Sequence, residues 1–294
     1  MPPTPHAAHP PSPAPAPAAA PSDSVGLSVI APAHNEEENV VALADQVAAG
    51  ARATGLAFEF ILVDDGSTDH TRARAIQAAA TRPWMRVIAM ATTPPGKGNG
   101  QSAAFHAGIR ASRGELIATI DADLQNDPAD LPDLLRVMRQ HNADLVQGDR
   151  SHARRDNAIR RVTSVIGRLF RRTFLGDTVR DTGCSLRIMR RPYALALPLQ
   201  FRGIHRFVPV SVANLGGRVV ECRVNHRPRV AGQTKYGLGI VQRALPGLMD
   251  LLAVRWMASR RRPTDFAGLT DAAASSSPVI STAPATAHAH EAIR

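Results

Sequence analysis

The chain is poor in residues that staple or stack. Its two cysteines, Cys184 and Cys222, stand 38 positions apart with no CxxC or Cys/His spacing around them. That excludes a disulfide framework and a structural zinc site, and it fits a reducing, cytosolic setting. Aromatic residues are 4% of the 294, too few for the ring platforms on which single-stranded nucleic acids stack. No run of 18 or more uncharged apolar residues occurs, so no helix is expected to span a bilayer. Lysine is confined to Lys97 and Lys235, and none of the 11 histidines forms an HExxH pattern.

What the chain has instead is arginine, 33 of its 35 basic residues. Between Arg150 and Arg191, twelve arginines meet only Asp156, Asp177 and Asp181, so this block carries nine of the net +10 charges. Such a block expects a polyanionic partner: a phosphorylated ligand, an anionic membrane surface or nucleic acid. The guanidinium fork suits phosphate. Arg150, Arg160, Arg161 and Arg187 are the members expected to act there, the others forming solvated helix faces.

Residues 1–24 are mostly Pro, Ala, Ser and His, which bury too little apolar surface to offset the entropy of ordering. A disordered tail is expected, and without a cationic start before an apolar core it is not read as a secretory signal. Residues 263–294 form a second low-complexity tail. Between them, β-branched runs at 27–33, 58–64, 85–90, 116–123 and 143–148 alternate with amphipathic segments at 36–54, 68–82, 101–112 and 129–142. This pattern predicts an α/β domain with a mostly parallel central sheet and flanking helices. Ligands of such sheets bind beyond the carboxyl ends of the strands. The polar clusters HNEEEN, DDGSTDHT and DADLQ all stand there, which predicts one cleft.

DADLQ closes the fourth expected strand. In an extended segment Asp121, Asp123 and Gln125 point the same way and offer three oxygen groups to one ion. Mg²⁺ or Mn²⁺ bridging a diphosphate fits that set, and a helix N-cap run ahead of Pro128 is the alternative. In DDGSTD, Asp64 and Asp65 offer carboxylates to a ring N–H or a ribose hydroxyl, while Ser67 or Thr68 caps the next helix. PGKGNGQ, residues 95–101, is a permissive loop beside a helix N-terminus, without the order of a P-loop or a dinucleotide fingerprint. HRPR, residues 226–229, and GQTKYG, residues 232–237, add further cations.

In order along the chain, PAHNEEEN, VDDGSTDHT, GNGQSAAFHAG, DADLQNDP, DTGCSLR, HRFVP and NHRPRVAGQTKYGL resemble glycosyltransferase family 2. Within it they are most similar to the polyprenyl-phosphate sugar transferases of the dolichol-phosphate mannosyltransferase type. The resemblance covers residues 25–262 and implies a GT-A, Rossmann-like fold. It divides the chain into a nucleotide-sugar-binding half at 25–150, an acceptor-side half at 151–237 and an amphipathic C-terminal helix at 238–262. Pro32, His34 and Glu36 would lie along the nucleotide, His34 where relatives usually carry Tyr. Val63 and Asp65 would hold the base, Asp64 standing beside them. Asp121, Ala122, Asp123 and Gln125 would handle metal and diphosphate, Arg150 would reach phosphate, and Arg229 and Lys235 match a pair that closes over the donor phosphates.

The resemblance implies a GDP- or UDP-linked sugar donor, a polyprenyl phosphate acceptor, a membrane surface and room for an integral membrane partner, with no nucleic acid. The site is expected at the cytoplasmic face of the inner membrane. An alcohol acceptor would usually need a carboxylate base, and Asp181 is the candidate for that role or for positioning the sugar. A phosphate monoester, with a second pKa of about 6, needs none. Acceptors that remain open are a polyprenyl phosphate and a saccharide or glycolipid hydroxyl. The different-class alternative is a basic nucleic-acid-binding protein. Residues 241, 244, 245, 248, 252 and 256 share a face of the last helix, which reads equally as a membrane-interfacial face or as packing on the domain, with Pro246-Gly247 inside it.

Overall fold

Seven strands form one sheet among the residues that the computed structural model describes, 24–152, 158–227 and 240–262, the side chains of 158–166 and 240–245 apart. They are β1 (Leu27–Ala33), β2 (Phe58–Asp64), β3 (Met85–Ala89), β4 (Leu116–Thr119), β5 (Leu145–Asp149), β6 (Arg187–Arg190) and β7 (Val219–Arg223). Their order is β3-β2-β1-β4-β6-β5-β7. All pairings are parallel except those of β6, which runs antiparallel between β4 and β5. The mostly parallel sheet expected from the β-α alternation is therefore present. One sheet carries both expected halves of the chain, because β6 and β7 pair with β4 and β5.

The helices are α1 (Val40–Ala53), α2 (Thr71–Ala80), α3 (Gln101–Ala111), α4 (Leu131–Gln140), α5 (Ala158–Leu175), α6 (Arg191–Ala196), α7 (Val208–Asn214) and α8 (Ile240–Arg260). Alternation along the strands divides the core into two layers. Leu27, Val29, Phe60 and Leu62 face α1 and α4 with Leu43, Val47, Leu134 and Met138. Ile30, Ile61, Val63 and Ile117 face the opposite layer, with Phe105 and Ile109 of α3 and Leu251 and Val254 of α8. Strands buried on both faces explain why their sequences read as unbroken apolar runs.

Two boundaries differ from expectation in ways that shape the site. β4 stops at Thr119 rather than continuing to residue 123. Its ladder with β1 ends at Ile30 and Thr119, followed by Ile120 N–H donating to the Ile30 carbonyl. Two residues further along β1 stands Pro32, which has no N–H to offer. α1 begins at Val40 rather than near 36, because residues 34–39 are drawn into a loop tied to residues 65–71. The expected tails lie almost wholly outside the described residues.

Candidate active site

At the carboxyl ends of β1 and β2, two loops are stitched together. His34 Nδ1 lies 2.8 Å from the Asp65 carbonyl. The Asn35 amide donates to Ser67 Oγ at 3.0 Å, Asn35 Oδ1 accepts from the Thr68 amide at 2.8 Å, and the Glu36 amide donates to Thr71 Oγ1 at 2.8 Å. Glu36 also accepts from Asn39 Nδ2 at 2.8 Å. Pro32, His34 and Glu36 are all half-buried along this seam.

The paired carboxylates behind the seam have separate tasks. Asp64 is fully buried, ion-paired to Arg72 Nε at 2.6 Å, and accepts the Ser67 amide at 3.1 Å. These contacts pin the turn at the end of β2. Val63 is likewise buried, its side chain in the core. Asp65 accepts the Asn99 amide on Oδ1 at 2.8 Å and the Gly100 amide on Oδ2 at 2.7 Å. A carboxylate oxygen has two lone pairs, so each keeps one direction for a ring N–H. This bridging holds residues 94–100 across the strand ends. A Cβ at Gly98 would overlap the Asp65 carboxylate, and Gly100, at φ 96°, turns the chain into α3.

The metal motif is a turn, not the extended strand end that was expected. Leu124 sits at φ 60°, a left-handed conformation that costs a leucine about 1–2 kcal/mol, and its side chain is driven into the core beside Ala122. Ala122 and Leu124 are buried, while Asp121, Asp123 and Gln125 each keep partial exposure. Gln101, from the first turn of α3, donates to Asp121 Oδ1 at 2.5 Å. Burial, then the charge of Asp123, pushes Asp121 up to about 6. Two crowded carboxylates and an amide oxygen are a donor set for a hard divalent cation whose remaining positions go to water or phosphate. Among the described residues no group of three or more His, Cys, Asp and Glu gathers, at this motif or away from it, so the donor set here is two carboxylates and an amide.

The arginine block divides into buried and surface members. Arg150, just past β5, meets Asp181 through Nε to Oδ2 at 2.8 Å and Nη2 to Oδ1 at 3.3 Å, while its amide also reaches Oδ2 at 3.2 Å. Burial opposes the guanidinium's charge, but the Asp181 hydrogen bond and the carboxylates around it raise its pKa. Asp181, expected as base or sugar contact, is thus engaged by Arg150 at both oxygens. Arg187 is 3% exposed; Nη1 donates to the His205 carbonyl at 3.2 Å and Nη2 to the Cys184 carbonyl at 2.6 Å. Its charge interacts favourably with those of Asp121 and Asp181. Burial pushes the Cys184 thiol up to about 12, an inert state.

Of the other cations, Arg160 and Arg161 belong to α5, but their side chains lie outside the described residues, and so do Arg229 and Lys235. Sequence reasoning missed Gln101, which sat in the quoted GNGQS string as a helix start, and Ser102. Ser102 Oγ is 2.7 Å from His205 Nδ1 and accepts the His205 amide at 3.1 Å. HRFVP had been noted without a task for its histidine.

Residues 28–196 match the Glycosyl transferase family 2 profile. The chain is 35% identical over 252 residues to the dodecaprenyl-phosphate galacturonate synthase of Rhizobium johnstonii, covering 84% of this chain and 72% of that one. It is 38% identical over 226 residues to the undecaprenyl-phosphate 4-deoxy-4-formamido-L-arabinose transferase of Pseudomonas paraeruginosa, covering 77% of this chain but 64% of the relative's length. A glucosyl-3-phosphoglycerate synthase from Mycobacterium tuberculosis, solved with Mn²⁺, UDP-glucose and phosphoglyceric acid, superposes with a TM-score of 0.60 at 20% identity, over 78% of this chain and 80% of that one. That likeness is one of fold, and the GT-A arrangement expected from the motifs is the one observed.

Proposed function

The chain belongs to glycosyltransferase family 2, and from that premise we propose that it transfers a sugar, with inversion, from a nucleotide-sugar donor to a polyprenyl phosphate. The observation that carries the acceptor is the closed Arg150–Asp181 pair. Asp181 was the candidate base, and its carboxylate is spent on a guanidinium. An acceptor that arrives already anionic suits a site built this way, whereas a saccharide hydroxyl would need its proton removed. The two named relatives, whose names specify dodecaprenyl and undecaprenyl phosphate, support the same class.

In this reading the donor lies across the ends of β1, β2 and β4. Asp65 and the loop it shapes take the base side, with His34, Glu36 and Pro32 along the nucleotide and the backbone at Ala122 beside the diphosphate. Asp121, Asp123 and Gln125 hold Mg²⁺ or Mn²⁺, which when bound neutralises charge on the leaving diphosphate. Gln101 fixes Asp121, and the amide-rich N-terminus of α3 adds favourable potential for anions. An acceptor phosphate oxygen attacks the anomeric carbon as the bond to the nucleoside diphosphate breaks, so no side chain takes a proton. Arg160, Arg161, Arg229 and Lys235 are assigned to the acceptor and donor phosphates on their motifs. The donor's base, GDP- or UDP-type, and its sugar are not set by these residues; the relatives' names carry galacturonate and 4-deoxy-4-formamido-L-arabinose.

A membrane surface is the proposed place of action, at the cytoplasmic face, with or without an integral partner. No helix among the described residues is long and apolar enough to cross a membrane. Of the eleven exposed large hydrophobic residues among the described ones, seven stand on the adjoining helices α5 and α8: Leu169, Phe170, Phe174, Leu248, Met249, Leu252 and Trp256. Leu251 and Val254 turn the opposite side of α8 into the core. Packing on the domain and an outward apolar face are therefore both present on one helix. Arg172 and residues 260–262 add exposed cations at this surface, suited to anionic headgroups.

The test is nucleoside diphosphate release by the purified chain with Mg²⁺ or Mn²⁺ across UDP- and GDP-sugars, with and without undecaprenyl phosphate in detergent. Release that requires the lipid phosphate is the expected result. Release indifferent to it overturns the acceptor assignment.

A further inference from the structure

The turn that carries the metal motif has lost its ladder, since β4 ends at Thr119 and Leu124 is in a left-handed conformation. Its far side is held by a segment about 100 residues later in the chain. After β7, residues 225–227 run beside residues 125–130. The Asn225 amide donates to Asp130 Oδ2 at 2.7 Å and Asn225 Nδ2 to Asp130 Oδ1 at 2.8 Å. Asn126 and His226 form an isolated antiparallel bridge, and the Arg227 amide donates to the Gln125 carbonyl at 2.8 Å. The Arg227 guanidinium closes the arrangement, with Nη2 on Asp127 Oδ2 at 2.5 Å and Nη1 on Gln46 Oε1 of α1 at 2.8 Å.

These bonds take hold of the backbone of Gln125, the side chain of Asp127 and the side chain of Asp130. Gln125 is the third oxygen donor of the proposed metal site, and the only one of the three past the strained Leu124. Asp127 also caps the short 3₁₀ turn (Pro128–Asp130) through the Ala129 amide at 3.0 Å. Displacing Asp127 would thus move the backbone two residues from Gln125. The Asp130 carboxyl is raised by burial, which Asn225's two hydrogen bonds oppose. Replacing a group that orients a metal ligand typically costs about 10- to 100-fold in metal affinity.

We propose that Arg227 and Asn225 are positioning residues for the metal motif, holding Gln125 in its ligating place from outside the coordination sphere. This rests on the metal reading above and assigns no chemical step to either residue. It also gives the NHRP string a task separate from the phosphate contacts assigned to Arg229 and Lys235.

The experiment is Mn²⁺ titrated into the full chain in parallel series with UDP and with GDP, with free Mn²⁺ read by electron paramagnetic resonance and thermal midpoints taken alongside. Arg227→Gln should weaken Mn²⁺ binding by about 10- to 100-fold, and Arg227→Lys, which keeps a charge for Asp127, should recover part of it. Arg113→Gln is the control, because it breaks an ion pair to Glu59 at the opposite end of the sheet. It should leave Mn²⁺ affinity unchanged whatever it does to the midpoint. Wild-type affinity in Arg227→Gln overturns the positioning role and leaves the metal reading standing, as does an equal weakening in Arg113→Gln. If Arg227→Gln does not fold, Asn225→Ala replaces it under the same criteria. No Mn²⁺ binding by the wild type overturns both the metal reading and this proposal.

Discussion

Arg150 and Asp181 meet in a buried two-point ion pair, Nε to Oδ2 at 2.8 Å and Nη2 to Oδ1 at 3.3 Å, with side chains 8% and 4% exposed. The pair spans 31 positions of sequence and joins the end of β5 to the DTGCSLR segment ahead of β6. Its members were expected to act separately, one on phosphate and one as a base. Removing one partner of such a pair strands the other's charge, at a cost of about 3–5 kcal/mol. Asp181→Asn should therefore lower stability by that order in denaturant titration. Its turnover per folded molecule should stay within a few-fold of wild type. A fully folded Asp181→Asn chain with turnover reduced a thousandfold would restore the residue to chemistry.

Gly98 is close enough to Asp65 that any side chain must push the carboxylate or the loop aside. Gly98→Ala should raise the KM for the nucleotide sugar at least severalfold while changing kcat less, because the bridge to the Asn99 and Gly100 amides shapes the donor side. Steady-state kinetics with the active donor separates the two. An unchanged KM would remove the loop from donor binding.

His205 should stay neutral through the physiological range. Burial, then the charges of Arg206 and Arg187, lowers its pKa to about 3. The unfolded chain takes up that proton near 6.5 and the native state does not, so stability is complete above 6.5 and declines as pH falls toward 3. At pH 5 the loss is about 2 kcal/mol. Asp121, raised to about 6, contributes the opposite slope. The comparison is therefore between wild type and His205→Gln, both retaining Asp121, and the pH dependence of their difference should show the His205 component. Parallel curves between pH 7 and 5 would count against it.

On the outward side of α8, the surface proposed to meet a membrane, Met249 and Trp256 are each 63% exposed. Replacing both with Ser should reduce co-sedimentation with vesicles containing an anionic lipid by at least tenfold, given about 1.5–3 kcal/mol for each large apolar side chain fully buried. Turnover of a water-soluble acceptor analogue should be unaffected. Equal sedimentation of the two chains would leave this surface without its assigned partner.

Much of this architecture is legible locally. Strands β1 and β2 lie where their β-branched runs put them, and the clusters HNEEEN, DDGSTDHT and DADLQ converge because parallel strands bring their carboxyl ends to one edge. What escaped was the choice of side-chain partners. Nothing around Asp64 announces Arg72 as its partner, nor does Arg150 announce Asp181, since such choices are made by packing rather than by spacing. β6 is four residues long and flanked by arginines, too short for a period-2 pattern. The left-handed Leu124 could not be read from a residue type that avoids that conformation, and it stands in a turn where an extended strand end was expected.

The antiparallel β6 also bears on how the chain is made. On the ribosome, β1 to β4 can assemble from the first 119 residues, each strand finding a neighbour already synthesised. β5 emerges next but has no place in the sheet until β6, some forty residues later, arrives to sit between it and β4. During that interval the outer edge of β4 is an unpaired row of amides and carbonyls, the kind of edge that recruits other chains. The arginine-rich stretch from 150 to 191 is what emerges in that window. Like charges at that density would repel other nascent chains for as long as the edge of β4 is open.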